Sequence, residues 1–300
     1  MIHNQENKTA GILWMLATMI CFVALDVVMK YALQTYPLLE VTWGRLFFAT
    51  VFAALLCGRK LPQLIKTHQL PLQVLRSLLL ALTTGIFNAG IHLEPLPTGT
   101  TIMFMTPIIV TFLSSLFLGE RVGWRRWTGI IIGFCGALIV MRVWEFGSAG
   151  IGAGVLLLFV SAFTNAAYQT ITRPLRAENP LTTLLYSAAL GAIITTVFLP
   201  FAWVWPSANG WALFLASGFL GCLGHWCLIR AFNAAPAAVI TPFYYSSLVW
   251  STILGFIIWG DVPYWNTLVG AALIMGSGLY IFWREHLLGL SAKREVESAL

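Results

Sequence analysis

The side chains best suited to chemistry in this 300-residue chain are four charged or titratable groups within long apolar segments: Asp26, Lys30, Arg45 and His225. If such a segment spans a membrane, each charge costs about 2.5 to 3.5 kcal/mol on insertion scales, so it usually faces a cavity or a partner. These four residues are therefore candidates for coupling or gating. His225 could carry a proton because imidazole titrates near neutral pH, although a lone histidine can also be an ordinary packing residue.

Asp26 and Lys30 are four residues apart, so a helix would place both on one face, where they can form an ion pair. Such a pair either lowers its own insertion cost, a purely structural role, or takes part in substrate binding or coupling. Arg45 could join the pair, and Glu40 is an alternative partner for Arg45.

Neutral polar side chains form stripes on two other apolar segments. On the sixth segment, Asn165, Tyr168 and Gln169 belong to a set of polar residues spaced by three and four, which one helix face would carry. On the third segment, Asn88 and His92 form a second stripe. A stripe of this kind either lines a cavity for water or a ligand, or makes interhelical hydrogen bonds worth about 0.6 kcal/mol each.

Aromatic and hydroxyl groups are combined on the ninth segment, where Tyr244, Tyr245 and Trp250 follow Pro242. Proline interrupts the helical hydrogen-bond ladder and frees carbonyl groups. Freed backbone groups and tyrosine hydroxyls can hold carboxylate and amine groups, while aromatic faces can receive a cation or an apolar side chain. We therefore include these three residues, and Trp43 of the second segment, among the candidate substrate-binding residues; simple packing is the alternative.

The composition indicates that most of the chain lies in lipid. Of the residues, 59% are hydrophobic and 9% charged, and the mean hydropathy is +0.83. A bilayer core of roughly 30 Å needs about 20 apolar residues per helix. The sequence thus predicts an all-α integral membrane protein with ten transmembrane helices near residues 10–33, 37–57, 73–93, 97–118, 126–143, 151–172, 181–203, 211–232, 237–259 and 264–284.

The second half of the chain repeats the first at offsets of 143, 139 and 141 residues. Matching positions are Gly11 and Gly154, Lys30 and Arg173, Pro37 and Pro180, Gly85 and Gly224, Pro97 and Pro236, Glu120 and Asp261, and Gly129 and Gly270. Five helices per half is an odd number, so the second half would enter the membrane upside down, as in many transporters. The predicted domains are a tail at 1–9, repeats at 10–143 and 151–284, and a tail at 285–300.

The basic residues predict the orientation. With the N-terminus inside, 14 of the 17 lysines and arginines, Arg76 among them, fall on the inner side, as the positive-inside rule expects. Both termini are then cytoplasmic in a multi-pass protein of the inner (plasma) membrane. The pI near 9.2 reflects this topology and not nucleic-acid binding. The five cysteines have no paired spacing, so we expect no metal and no cofactor.

The stretch from Leu96 to Arg142 combines a mid-helix Thr-Pro, a Leu-Gly-Glu-Arg turn, Arg-Arg-Trp and a Gly-Phe-x-Gly run. It resembles the fourth and fifth helices of EamA-type members of the drug/metabolite transporter superfamily, and the resemblance extends over essentially the whole chain. It implies ten helices in two inverted five-helix repeats. The activity that it implies is export of amino acids and related metabolites.

The leading hypothesis is therefore a secondary transporter that works by alternating access, with a small molecule and the bilayer as partners, as a monomer or weak homodimer. A channel, or an importer of another metabolite such as a nucleoside, a nucleotide-derived compound or a drug-like cation, is the alternative. An enzyme is disfavoured because the sequence has neither an H-E-x-x-H nor a G-x-S-x-G motif, and an ATP-driven pump because it has no phosphate-binding loop.

Overall fold

A computed structural model describes residues 8–64, 66–117, 124–141, 152–172, 175, 178–235 and 237–298 of the chain. Within these residues every regular element is helical. The helices are α1 (Lys8–Ala32), α2 (Leu38–Cys57), α3 (Leu61–Leu64), α4 (Leu70–Leu93), α5 (Leu96–Met103), α6 (Thr106–Phe117), α7 (Trp124–Val140), α8 (Ala153–Thr172), α9 (Pro180–Phe198), α10 (Ala208–Ala234), α11 (Ala237–Ile240), α12 (Ser246–Trp259) and α13 (Trp265–Ser298). Six of them, α1, α2, α4, α8, α9 and α10, are long and apolar enough to cross a membrane, and shorter apolar helices accompany them.

Local sequence explains where several helices begin and end. Asn179 caps α9 by accepting a hydrogen bond from the Leu181 N–H, with Pro180 as the first helical residue. The α12 helix ends at Gly260, whose φ of 71° is left-handed and suits glycine. The Asp261 N–H then donates to the Gly255 carbonyl at 3.2 Å. This turn fixes the position of Asp261 at the end of α12.

The fourth and ninth predicted spans are each broken, which corrects the expectation of two continuous helices. The fourth is divided into α5 and α6 by a turn at Phe104 and Met105, just before Pro107. The ninth is divided by a 3₁₀ segment, Thr241–Tyr245, that contains Pro242. The loosened backbone predicted at Pro242 is therefore present. The tenth span also differs, because α13 continues to Ser298 instead of ending near 284.

The two halves of the chain pack against each other. In the first half, α1 and α2 contact α10, α2 also contacts α9, and α4 contacts α8 and α9. The α2 and α10 helices approach closely at Gly218, where a Cβ atom would lie 2.4 Å from the Phe48 Cβ and 2.6 Å from the Ala49 nitrogen. Only a residue without a side chain fits this crossing.

Two sets of contacts mark opposite ends of the bundle. At one end, which we call the Lys30 end, the last turn of α1 meets the end of α4 and the α12–α13 connection through Lys30, Glu94 and Asp261. At the other, the Glu178 end, Glu178 Oε1 accepts hydrogen bonds from the Thr67 hydroxyl at 2.8 Å and the His68 N–H at 3.1 Å. The loop before α4 is thereby attached to the loop before α9.

Candidate functional site

A cavity of about 240 Å³ lies between helices from the two halves of the chain. Its walls are α2 and α4 on one side and α8, α9 and α10 on the other. Its polar lining consists of Arg45, Arg76, Tyr168, Thr172, Glu178, Thr183, Ser187 and His225. The cavity extends from the Glu178 end of the bundle to Arg45, which lies only about 10 Å along α2 from the first residue of that helix.

Arg76 is the most completely bonded polar residue of this cavity. Its side chain is buried, and Nε donates to the Thr172 hydroxyl at 2.7 Å. Nη1 donates to the Thr183 carbonyl at 3.0 Å and to the Ser187 hydroxyl, and Nη2 donates to the Tyr168 hydroxyl. The guanidinium also lies over the Tyr168 ring, 4.3 Å from its centroid. One side chain of α4 thus joins α8 and α9 at the cavity wall.

Arg45 connects the cavity to a second polar group deeper in the bundle. It interacts electrostatically with Asp26 on α1 and with Tyr168 on α8. Asp26 also interacts electrostatically with Tyr244. Arg45 and Asp26 are thus close enough to interact, but they do not form an ion pair within 4.0 Å. Glu40, its alternative partner, is engaged elsewhere, because its Oε2 accepts from the Val204 N–H at 3.1 Å.

The ion pair expected between Asp26 and Lys30 is not the one that forms. Lys30 Nζ instead lies 3.0 Å from Asp261 Oδ2 and donates to the Glu94 carbonyl at 2.9 Å. It also stands over the Trp259 ring, 4.9 Å from the centroid. The side chain reaches the end of the helix, where a carboxylate from the other half is available, whereas Asp26 lies one turn deeper beside Arg45.

His225 lines the cavity and is fixed by local contacts. Its Nδ1 is 2.8 Å from the Gly221 carbonyl, and because a carbonyl can only accept, Nδ1 carries a proton. Its ring meets Phe22 edge-on at a centroid distance of 5.1 Å. The remaining nitrogen, Nε2, is the one with acceptor capacity in this tautomer.

The residues of the two predicted polar stripes lie in different environments in the structure. Of the sixth-segment residues, Tyr168 lines the cavity, Asn165 is half-buried outside its lining, and Gln169 is exposed on the bundle surface. Of the third-segment residues, Asn88 is fully buried and donates to the Thr42 hydroxyl at 3.3 Å, and His92 is exposed. Of these five predicted residues, only Tyr168 lines the cavity.

The predicted aromatic residues form contacts outside the cavity lining. Tyr244 and Tyr245 pack edge-on against Phe104, with ring centroids at 6.0 and 5.0 Å, so the two broken helices meet at their breaks. Trp250 is half-buried, and its indole nitrogen is buried without a hydrogen-bond partner in the described part of the chain. Trp43 donates to the Thr196 hydroxyl at 2.8 Å and stacks on a neighbouring phenylalanine.

Sequence reasoning missed Arg76 and its partners on α9, Thr183 and Ser187. Arg76 was counted only as an inner-side basic residue. The signal that could have identified it is its position seven residues into α4, past the point where a basic side chain merely marks the cytoplasmic surface. Thr183 and Ser187 are four residues apart and share a face of α9.

The donor types in the described residues do not make a metal site. No group of three or more His, Cys, Asp or Glu side chains comes together within the described ranges. The cavity instead offers guanidinium, hydroxyl, phenol and imidazole groups among apolar side chains, a set suited to binding a small polar molecule reversibly.

Comparisons with known proteins identify the family of the chain. The pattern that defines the EamA-like transporter family matches the chain twice, at residues 9–142 and 152–283. A riboflavin transporter of Rhizobium johnstonii is 31% identical over 93% of each chain. An S-adenosylmethionine uptake transporter of Rickettsia felis is 27% identical over 94% of this chain and 96% of its own length. A pseudopaline exporter of Pseudomonas aeruginosa, CntI, is 27% identical over 89% and 93%.

A solved crystal structure of another protein has the same fold. It aligns with a TM-score of 0.61 over 93% of this chain and 99% of the other, at 17% sequence identity. The matching family and the named relatives are transporters and not enzymes. The chain is therefore a multi-pass membrane protein and belongs to the EamA-like transporter family, within the drug/metabolite transporter superfamily.

Proposed function

We propose that this protein is a secondary transporter that exports amino acids and related small metabolites across the bacterial inner membrane by alternating access. The observation that carries the proposal is the combination of a cavity between the two halves, reaching the Glu178 end, with an ion pair that joins the halves at the Lys30 end. A cavity accessible from one end and closed at the other is what one state of such a cycle requires.

Ten membrane spans in two inverted repeats are part of this proposal. The family pattern matches once in each half, and the two broken spans, α5–α6 and α11–α12, occupy equivalent places in the halves. Broken helices near the middle of the membrane are common where transporters form their binding sites. We assign both termini and the Glu178 end to the cytoplasm, on the distribution of basic residues, and propose a monomer or weak homodimer.

In this proposal, Arg45, Tyr168 and His225 face the substrate. Asp26 balances Arg45. Four further candidate residues, Asn88, Tyr244, Tyr245 and Trp250, lie outside the present cavity lining, where a different state of the cycle would use them. The other four, Trp43, His92, Asn165 and Gln169, have no role in this proposal. Export is the direction implied by the family resemblance. The named relatives include both an uptake transporter and an exporter, so the test measures both directions.

Counterflow in liposomes tests the proposal. Vesicles containing the purified protein are preloaded with one unlabelled amino acid at a time and given the same labelled amino acid outside. We expect saturable uptake of the labelled amino acid that depends on the unlabelled amino acid inside. The reason is that a carrier which moves unlabelled substrate outward can return with labelled substrate. Flux that rises linearly with concentration and ignores the internal load would indicate a channel, and saturable exchange of a nucleoside but of no amino acid would redirect the substrate assignment.

A further inference from the structure

We propose that the cavity binds the anionic end of its substrate, a carboxylate or a phosphate group, directly on Arg76. The inference rests on the proposed transport function and adds a substrate class to it: a molecule with one anionic head and an apolar body. Two features of the described residues carry it, namely the hydrogen-bond inventory of Arg76 and the pairing of the other charges around the cavity.

A guanidinium has five N–H donors. Four of those of Arg76 are directed at the Thr172 hydroxyl, the Thr183 carbonyl, the Ser187 hydroxyl and the Tyr168 hydroxyl. The second donor on Nη2 has no partner among the described residues, and we assign it to the ligand. The Tyr168 ring under the guanidinium holds its plane in a defined orientation at the cavity wall.

Every hydrogen-bond partner of Arg76 is electrically neutral, and within the described residues no carboxylate lies within 4.0 Å of its guanidinium. Arg45 interacts electrostatically with Asp26. Glu178 also lines the cavity, but its Oε1 accepts hydrogen bonds from the loop before α4 and not from Arg76. Arg76 is thus a buried cation on the cavity wall that is not in contact with any described carboxylate.

A buried cation of this kind is costly unless an anion accompanies it. Neutral hydroxyls satisfy its hydrogen bonds but leave its charge uncompensated. A substrate carboxylate or phosphate would supply both the missing charge and an acceptor for the remaining donor, and arginine suits both groups because its fork of N–H donors matches their oxygens.

The rest of the lining defines the body of the substrate. Around the polar groups, the wall is made of aliphatic side chains from four helices: Leu46, Leu80, Leu184, Leu228 and Ile229. An apolar group attached to the anionic head would contact these side chains. A small, fully hydrophilic anion would leave them in contact with water and should bind less well.

Competition between matched compounds tests the inference. In the counterflow assay, unlabelled phenylalanine, its amide, its methyl ester and phenethylamine are compared as competitors, and phenyl phosphate is compared with phenol. We expect the carboxylate to compete at least about tenfold better than its amide, ester or decarboxylated analogue, because only the acid supplies a charge to Arg76. Strong competition by phenyl phosphate but not by phenylalanine would identify phosphate as the anionic group.

Variants at Arg76 assign the effect to that residue. Arg76→Gln should reduce the acid-to-amide ratio to near one, and Arg76→Lys should keep part of it. Arg230→Gln is the matched control, because Arg230 is exposed and lies over Trp226, away from the cavity. The ratio should be unchanged in that variant.

Failure of the transport proposal and failure of the anion site give different results. If no compound produces counterflow, the transport proposal itself is wrong. If counterflow occurs but amides and esters compete as well as acids in the wild-type protein, transport stands and the anion site is refuted, even where Arg76→Gln does not fold. An acid-to-amide ratio that persists in a folded Arg76→Gln protein would likewise refute the assignment to Arg76.

Discussion

Lys30 and Asp261 are 231 residues apart in the chain and form an ion pair with an Nζ to Oδ2 distance of 3.0 Å. The same carboxylate oxygen also accepts from the Leu96 N–H at 3.4 Å, and Lys30 donates to the Glu94 carbonyl. These bonds join the last turn of α1 to the α4–α5 and α12–α13 connections, at the end of the bundle opposite the cavity's Glu178 end. Opening the bundle there requires that they separate.

Neutralising this pair should make the cavity accessible from the Lys30 end. In Asp261→Asn, Lys30 loses its charge partner and the closed state loses stability relative to an open one. Cys222 lines the cavity and is buried, so it can report access. With the other cysteines replaced, an impermeant thiol reagent added at the Lys30 end should label Cys222 several-fold faster in Asp261→Asn than in the otherwise identical protein.

Lys60→Gln is the control, because Lys60 is an exposed residue of the loop after α2. Exchanging the charges, with Lys30→Asp and Asp261→Lys together, should slow labelling again, though incompletely, since an aspartate cannot donate to the Glu94 carbonyl. Equal labelling rates in all variants would show that the pair does not close this end.

Tyr168 should contribute to transport through both its hydroxyl and its ring. Tyr168→Phe removes the hydroxyl that accepts from Arg76 Nη2 and helps to orient the guanidinium at the cavity wall, and should raise the KM for transport several-fold. Tyr168→Ala also removes the ring beneath the Arg76 guanidinium and should raise it further. Gln169→Ala, one residue along α8 on the exposed surface, should leave KM unchanged. A wild-type KM in Tyr168→Ala at normal expression would remove α8 from the binding site.

Gly218 should be essential for the close packing of α2 and α10. An alanine there would place its Cβ against the Phe48 side chain and the Ala49 backbone, which cannot move aside cheaply. We expect Gly218→Ala to lower the free energy of unfolding by about 1 to 3 kcal/mol. Thermal unfolding in detergent measures this, with Gly276→Ala as control, since a Cβ at Gly276 meets nothing within 4 Å. Equal stabilities would mean that the crossing is looser than described.

The two helix breaks should govern the rate of the cycle more than substrate affinity. Replacing Pro107 and Pro242 together by alanine restores the missing N–H donors and favours continuous helices. We expect a several-fold lower maximal counterflow rate with a KM close to that of the wild type. Pro71→Ala provides the comparison, because Pro71 is an exposed residue in the first turn of α4. If the double variant turned over at the wild-type rate, the breaks would have no role in the motion.

Hydropathy alone predicted where the helices lie, because each span must satisfy its backbone groups internally and fill a fixed thickness of lipid. The predicted span 37–57, for example, corresponds to α2, Leu38–Cys57, within one residue. It did not predict that two spans are broken by turns, since the residues at Phe104 and Met105 are as apolar as their neighbours. The available signals were Pro107, just after the first break, and Pro242, within the second.

The charged residues were identified correctly as unusual, but their partners were not. Spacing within one helix suggested Asp26 for Lys30, while the actual partner lies in the other half of the chain. No pattern local to α1 contains that information, because it depends on how the halves pack. Arg76 was overlooked because its positive charge was already explained by its predicted position on the inner side of the membrane. Tyr168 was found because helical periodicity and polarity coincide there.

The repeat and the cavity together imply that the two halves of the chain contribute different side chains to substrate binding. At the 143-residue offset, Arg45 corresponds to Ala188 and Tyr168 to Leu25. If the halves exchange shapes as proposed, the guanidinium and the phenol have no polar counterparts at these two repeat positions. The groups that hold a polar substrate should therefore differ between the two sides of the membrane.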